Sequence, residues 1–111
     1  MSGLSMINEM NDLTERLNEA IRLMAKYGRE YAKAEHDYKL DLKKQALVRR
    51  DSGMPVTLID EGRIRRPVLT NGLKRDVAET MYKTAQENIN SIKLQIRILD
   101  NQISREWGRG D

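Results

Sequence analysis

Cysteine and phenylalanine are absent from this 111-residue sequence, and tryptophan and histidine occur once each. Without cysteine there is no disulfide, no thiolate nucleophile and no thiolate metal site. The lone His36 sits between Glu35 and Asp37, with Leu40 where a helical metal motif would place a second histidine. Asp37, Asp41 and Glu87 could share a cation, but mixed charge of this kind is expected to be a solvated or lysine-neutralised face. No metal site and no cofactor are expected. There is no GxxxxGK[ST], no GxGxxG and no Ser–His–Asp arrangement to assemble, so an enzyme is not expected. No apolar run approaches the ~20 residues that span a bilayer. Residues 1–10 lack a basic segment followed by an apolar block, so no signal peptide is expected either. The expectation is a soluble cytoplasmic protein.

What the chain has instead is charge and helical periodicity. A third of the residues are charged, and the net charge is +3. Nine basic and three acidic residues fall between Lys43 and Arg75, so this middle segment carries +6. Apolar or small residues recur at Met6, Met10, Leu13, Leu17, Ala20, Met24, Tyr27, Tyr31, Ala34 and Tyr38. Their steps alternate 4 and 3, the two-per-heptad seam of a coiled coil. This predicts one long helix over about 5–51, with Ser5 as its N-cap and Gly53 and Pro55 as its stop signals. A second stripe of small residues, Ile21, Ala25, Gly28 and Ala32, suits close approach of another helix.

A second helix is predicted over about 71–107, capped by Thr70 or Asn71. Its stripe reads Leu73, Val77, Met81, Ala85, Ile89, Ile92, Ile96, Leu99 and Ile103. The connection, 53–70, is long for a structureless loop. A short helical turn from Thr57 is preferred over a β-hairpin of Val56–Ile59 with Arg63–Leu69. The fold expected is a single all-α domain, a long antiparallel helical hairpin assembling as a coiled-coil-like bundle.

A turn between Gly53 and Gly72 would pair positions whose numbers sum to roughly 124. Trp107 would then lie near Leu17, leaving Met6, Met10 and Leu13 without an intrachain partner. Leu94 and Ile98 lie on a second face of helix 2. These five residues are the expected interface of a homo-oligomer, a dimer or a dimer of dimers.

The basic tip is the candidate binding region. Arg50, Arg63, Arg65, Arg66, Lys74 and Arg75 are candidate anion-binding residues, because guanidinium grips phosphate bidentately. Tyr31, Tyr38 and Tyr82 are candidates for stacking on bases. The competing reading makes the charges a solvated loop and the tyrosines part of the seam.

Two stretches carry a resemblance: Gly53-Met54-Pro55-Val56-Thr57-Leu58-Ile59, and Lys74-Arg75-Asp76-Val77-Ala78-Glu79 running into Met81-Tyr82-Lys83, with the ending Arg105-Glu106-Trp107-Gly108. Together they resemble small helical-hairpin proteins of phages and prophages of Gram-positive bacteria. The resemblance covers about Leu13 to Trp107 and carries no site residues. It implies an early-gene setting within a bacterial host. The leading expectation is a non-enzymatic phage anti-defence protein that sequesters a small anionic nucleotide signal. The alternatives are a nucleic-acid-binding accessory of phage recombination or replication, and a protein-interaction inhibitor of a host factor.

Overall fold

The computed structural model describes residues 3–52 and 58–108, with side chains described for 3–50 and 65–108. All of these residues lie in two helices, α1 (Gly3–Ser52) and α2 (Leu58–Gly108), which form a long helical hairpin. No strand occurs among them. The expected stop signals Gly53 and Pro55 lie outside the described residues. Arg49 and Arg50 occupy the last turn of α1, where cations favour the negative end of the helix dipole.

The helix boundaries differ from expectation at both starts. α1 begins at Gly3, so Ser5 is inside its first turn and not its cap. α2 begins at Leu58 and absorbs most of the expected connection, carrying Pro67 in its interior. The helical turn preferred from Thr57 thus runs on as a full helix, and the β alternative is not adopted over 58–69. A proline there leaves the Arg63 carbonyl without its intrahelical partner. Pro67 sits on an exposed face, where water can take up that carbonyl. Thr70 and Asn71 are therefore mid-helix residues, and neither is a cap.

The packing falls into two compact units, residues 1–26 with 83–111, and residues 27–82. In the first, the aliphatic seam forms as the periodicity dictates. Met6, Leu13 and Leu99 make one buried cluster, joined by Met10, Ile96 and Ile103. Ala20, Ile89 and Ile92 make a second, joined by Leu17, Met24 and Ile96. Burying each large aliphatic side chain contributes about 1.5–3 kcal/mol, so these clusters hold the unit together.

This overturns the expected overhang. Met6 and Leu13 are 3% and 4% exposed within one chain, and Met10 packs beside them. A second chain is not needed to bury them. Gly3, not Leu17, is the residue near Trp107: a Cβ at Gly3 would sit 3.7 Å from the indole Nε1. The register is shifted because α2 starts at Leu58, which moves the turn toward the N-terminus by several residues. Leu94 and Ile98 are half exposed, as a second apolar face requires.

The α2 stripe needs a second correction. In the unit of residues 27–82, Leu73, Val77 and Met81 point outward, 67%, 56% and 41% exposed. The half-buried positions are Val68, Asn71, Gly72, Arg75, Ala78, Glu79 and Tyr82, and the row of Val68, Asn71, Arg75, Ala78 and Tyr82 runs through them. Its steps of 3, 4, 3 and 4 keep the heptad seam. Steps of 4 drift about 40° around the helix each time, so a row spaced that way leaves a lengthwise contact. Heptad spacing, more than apolarity, sets which residues face α1 here.

Candidate functional site

The seam of residues 27–82 is polar and aromatic. From α1 it takes Tyr27, Tyr31, Ala34, Tyr38, Asp41 and Gln45, all half-buried, in heptad steps. No described residue of this unit is fully buried. Two glycines accept two tyrosine rings reciprocally. The Tyr82 ring of α2 lies on Gly28 of α1, and the Tyr38 ring of α1 lies on Gly72 of α2. A Cβ at either glycine would stand 3.1 Å from the nearest ring carbon. The position numbers of each pair sum to 110, so both contacts belong to one antiparallel register. A side chain at either helix position would have to push its ring aside by a few tenths of an ångström, so glycine gives the rings their closest seat against the backbone.

Polar contacts complete the seam. The Tyr31 and Tyr82 ring centroids are 6.0 Å apart, with the planes tilted by 35°. The Arg75 guanidinium lies 4.5 Å above the Tyr38 ring, a cation–π contact. Arg75 Nη2 also donates to Asp76 Oδ1 at 3.0 Å, with Nε at 3.3 Å. That bond to Asp76 raises the Arg75 pKa above the ordinary arginine value. The Asn71 side-chain amide donates to the Asp41 carboxylate across the helices. Among the described residues, no buried side-chain nitrogen or oxygen lacks a partner.

The expected site residues therefore divide. Tyr31, Tyr38, Tyr82 and Arg75 come together, but as packing partners of one another and of the two glycines. Each ring is half-buried and makes one or more of these contacts within the chain. Arg50, Arg65, Arg66 and Lys74 are exposed. The Arg63 side chain lies outside the described residues. The sequence reading missed Gly72, Asn71 and Asp41. Their signal was available: each falls on, or one residue beside, the heptad frame continued through this unit.

On the outer side of α2, Leu69, Leu73, Val77 and Met81 form one exposed row, with Leu69 65% exposed. Arg66, Thr70 and Lys74 form the neighbouring row on one side, and Gly72, Asp76 and Thr80 the row on the other. On α1, Leu40, Leu42, Leu47 and Val48 are also exposed. This unit thus sets several polar groups along its seam and leaves much of its apolar surface outside.

In the other unit, a groove of about 600 Å³ runs beside Ile21, Met24 and Ile89, with Glu87, Asn90 and Lys93 at its polar wall. One carboxylate and one ammonium give it no net charge to recruit a phosphate, and no aromatic ring lines it. Among the described residues, no group of three His, Cys, Asp or Glu side chains could hold a metal ion. None of the described helices is long and apolar enough to cross a membrane. Compared with protein-family models, curated proteins and solved structures, the chain matches none.

Proposed function

We propose that this chain is a non-enzymatic protein-interaction module that docks helices on the outer side of residues 27–82. The observation that carries the reading is the apolar row that this unit leaves outside a partly polar seam. Asn71, Asp41, Arg75 and the tyrosines occupy its seam, while Leu69, Leu73, Val77 and Met81 face outward. Contiguous exposed apolar rows of this kind mark interaction surfaces in soluble proteins. The tyrosines support the reading, since half-buried rings seated on glycine and on one another have less face to offer a base. Within the phage setting that the resemblance implies, such a module fits an inhibitor of a host factor, acting in the bacterial cytoplasm.

A second reading keeps the basic residues as the working group. Arg65, Arg66 and Lys74 are exposed beside the apolar row, and they could grip the phosphates of a nucleotide signal or a nucleic acid. One comparison separates the two. Wild-type protein and a Leu73→Glu/Val77→Glu variant are used as bait in host lysate, beside a thermal-shift panel of cyclic and ADP-ribose-type nucleotides and single-stranded DNA. Docking predicts a protein retained by the wild type and lost by the variant, with the melting temperature unmoved by any nucleotide. A shift of several degrees with one nucleotide class, and no protein lost by the variant, transfers the function to the arginines.

A further inference from the structure

Asn71 is followed by Gly72, and no other asparagine of the sequence precedes a glycine. An asparagine side chain lies within reach of nearby backbone nitrogens, and a glycine next to it has no Cβ to obstruct the approach. We propose that Asn71–Gly72 is a deamidation site that the closed seam of residues 27–82 holds off, so that opening of the seam is recorded as a permanent covalent change. The inference stands apart from the docking reading above.

The reaction needs only water. The Gly72 backbone nitrogen gives up its proton to solvent base and bonds to the Asn71 Cγ. The Cγ–Nδ2 bond breaks, and the amide nitrogen leaves as ammonia. A cyclic succinimide results, and water adds to either of its carbonyls. Breaking the new Cγ–N bond then leaves aspartate. Breaking the original peptide C–N bond leaves isoaspartate, with the chain routed through the side chain. The asparagine has taken up one water and released one ammonia, with no change of oxidation state.

Packing selects both residues of the pair. Gly72 seats the Tyr38 ring, and a Cβ there would stand 3.1 Å from it. The Asn71 amide donates to the Asp41 carboxylate, which an ionised aspartate at this position could not do. The labile dipeptide is therefore a consequence of how the seam is built.

Three features of the closed seam oppose ring closure. Helical backbone over Leu58–Gly108 fixes the Asn71 ψ, which sets the Gly72 nitrogen out of position for attack on Cγ. The Gly72 N–H is directed at the carbonyl four residues before it, that of Val68. The Asn71 side chain is half-buried and held by Asp41. All three release together when this stretch of α2 unwinds. Unwinding is favoured here, because Pro67 supplies no N–H, glycine is a poor helix former, and no described residue of the unit is fully buried. Asn90, followed by Ser91, offers the comparison. It lies in the same helix, next to Ile89 of the aliphatic core.

Neither product refits the seam. An ionised carboxylate only accepts, so aspartate at 71 meets Asp41 as a second anion where a donor stood. Isoaspartate adds a backbone carbon between residues 71 and 72, which breaks the helical hydrogen-bond spacing at the seat of the Tyr38 ring. A seam that has reacted once therefore closes less well.

Ageing the full chain in mildly alkaline buffer, well below its melting temperature, tests the inference by peptide mass mapping. Wild type, Gly72→Ala, Asp41→Ala and Asn71→Asp are compared, with circular dichroism and thermal melting of each. In the folded wild type, Asn71 should deamidate faster than Asn90. It should react more slowly than in the same protein unfolded in guanidinium, by roughly tenfold or more. Gly72→Ala should bring Asn71 down to the rate of Asn90. Asp41→Ala should speed Asn71 by roughly three- to tenfold, as the bond that holds its amide is lost. Asn71→Asp should melt several degrees below the wild type. Equal rates at Asn71 in folded and unfolded wild type overturn the inference, because the seam then holds nothing off. So does an Asn71 no faster than Asn90 in the folded chain, or a folded Asp41→Ala no faster than the wild type. An Asn71→Asp that melts with the wild type also overturns it, since the modified seam then closes as before. If Asp41→Ala fails to fold, the folded and unfolded wild type still decide.

Discussion

The two units of this hairpin use the same heptad frame and fill it with opposite chemistry. Residues 1–26 and 83–111 bury methionine, leucine, isoleucine and alanine, and their clusters need no polar partner. Residues 27–82 set tyrosine, glycine, arginine, asparagine and aspartate along the seam, and no described residue there is fully buried. The first arrangement gains from desolvating aliphatic surface. The second gains little net stability, because each polar group only exchanges water for a protein partner. What the polar seam supplies is register. Tyr82 packs closely where Gly28 stands, Tyr38 where Gly72 stands, and Asn71 meets Asp41. Polar and shape-matched positions fix alignment at some expense in stability, as a single buried asparagine does in a coiled coil. One unit therefore holds the hairpin closed, and the other fixes its alignment and leaves an apolar side for a partner.

That contrast is open to substitution, and the largest effect belongs to the aliphatic seam. Leu99→Ala, at a position 3% exposed, should destabilise the chain by about 2–4 kcal/mol in urea unfolding. An equal truncation at Leu73, which is two-thirds exposed, should change stability by less than about 0.5 kcal/mol. Comparable losses at the two positions would break the distinction between seam and outer row.

Replacing the Asn71–Asp41 pair by leucines tests the polar seam. The double variant should be as stable as the wild type or up to about 2 kcal/mol more stable, because an apolar pair avoids the desolvation cost. The gain should come with looser register, read as broadened amide signals over 27–50 and 65–82 in NMR spectra. A double variant that is both less stable and as well ordered would mean that the polar pair is a main support.

A smaller effect is expected at Gly28. Alanine is favoured over glycine inside a helix by about 1 kcal/mol. At Gly28 the added Cβ meets the Tyr82 ring at 3.1 Å, so most of that gain should be lost. In a Tyr82→Leu background the ring is gone, and Gly28→Ala should recover the full ~1 kcal/mol. A cycle with no coupling would show that the ring yields at no cost. The smallest effect is at the surface pair of Lys39 with Glu35, 3.6 Å apart on one helix face. Lys39→Ala should cost no more than about 0.5 kcal/mol, and less at high salt.

Much of α1 was legible from its residues alone. Ten positions from Met6 to Tyr38 alternate steps of 4 and 3, and all ten are buried or half-buried. The upper part of α2 was not, for a physical reason. Leu73, Val77 and Met81 are the most apolar residues in their stretch, and hydrophobicity alone assigns them inward. The heptad frame that continues up from Ile89 and Ala85 instead passes through Tyr82, Ala78, Arg75 and Asn71. Apolarity and periodicity disagreed there, and the lengthwise contact with α1 follows periodicity. The register was misplaced for a related reason. Gly62, Pro67, Thr70 and Asn71 each resemble a helix boundary, yet all lie inside α2. The roles of Arg75 and the tyrosines depended on that register, so their internal pairing could not be read before α2 was placed.

Amide hydrogen exchange tests the account most directly. The amides of 65–82 should exchange faster than those of 85–103, since the polar seam opens more readily than the aliphatic one. Equal protection of the two stretches would contradict the division into an aliphatic holding unit and a polar-seamed unit.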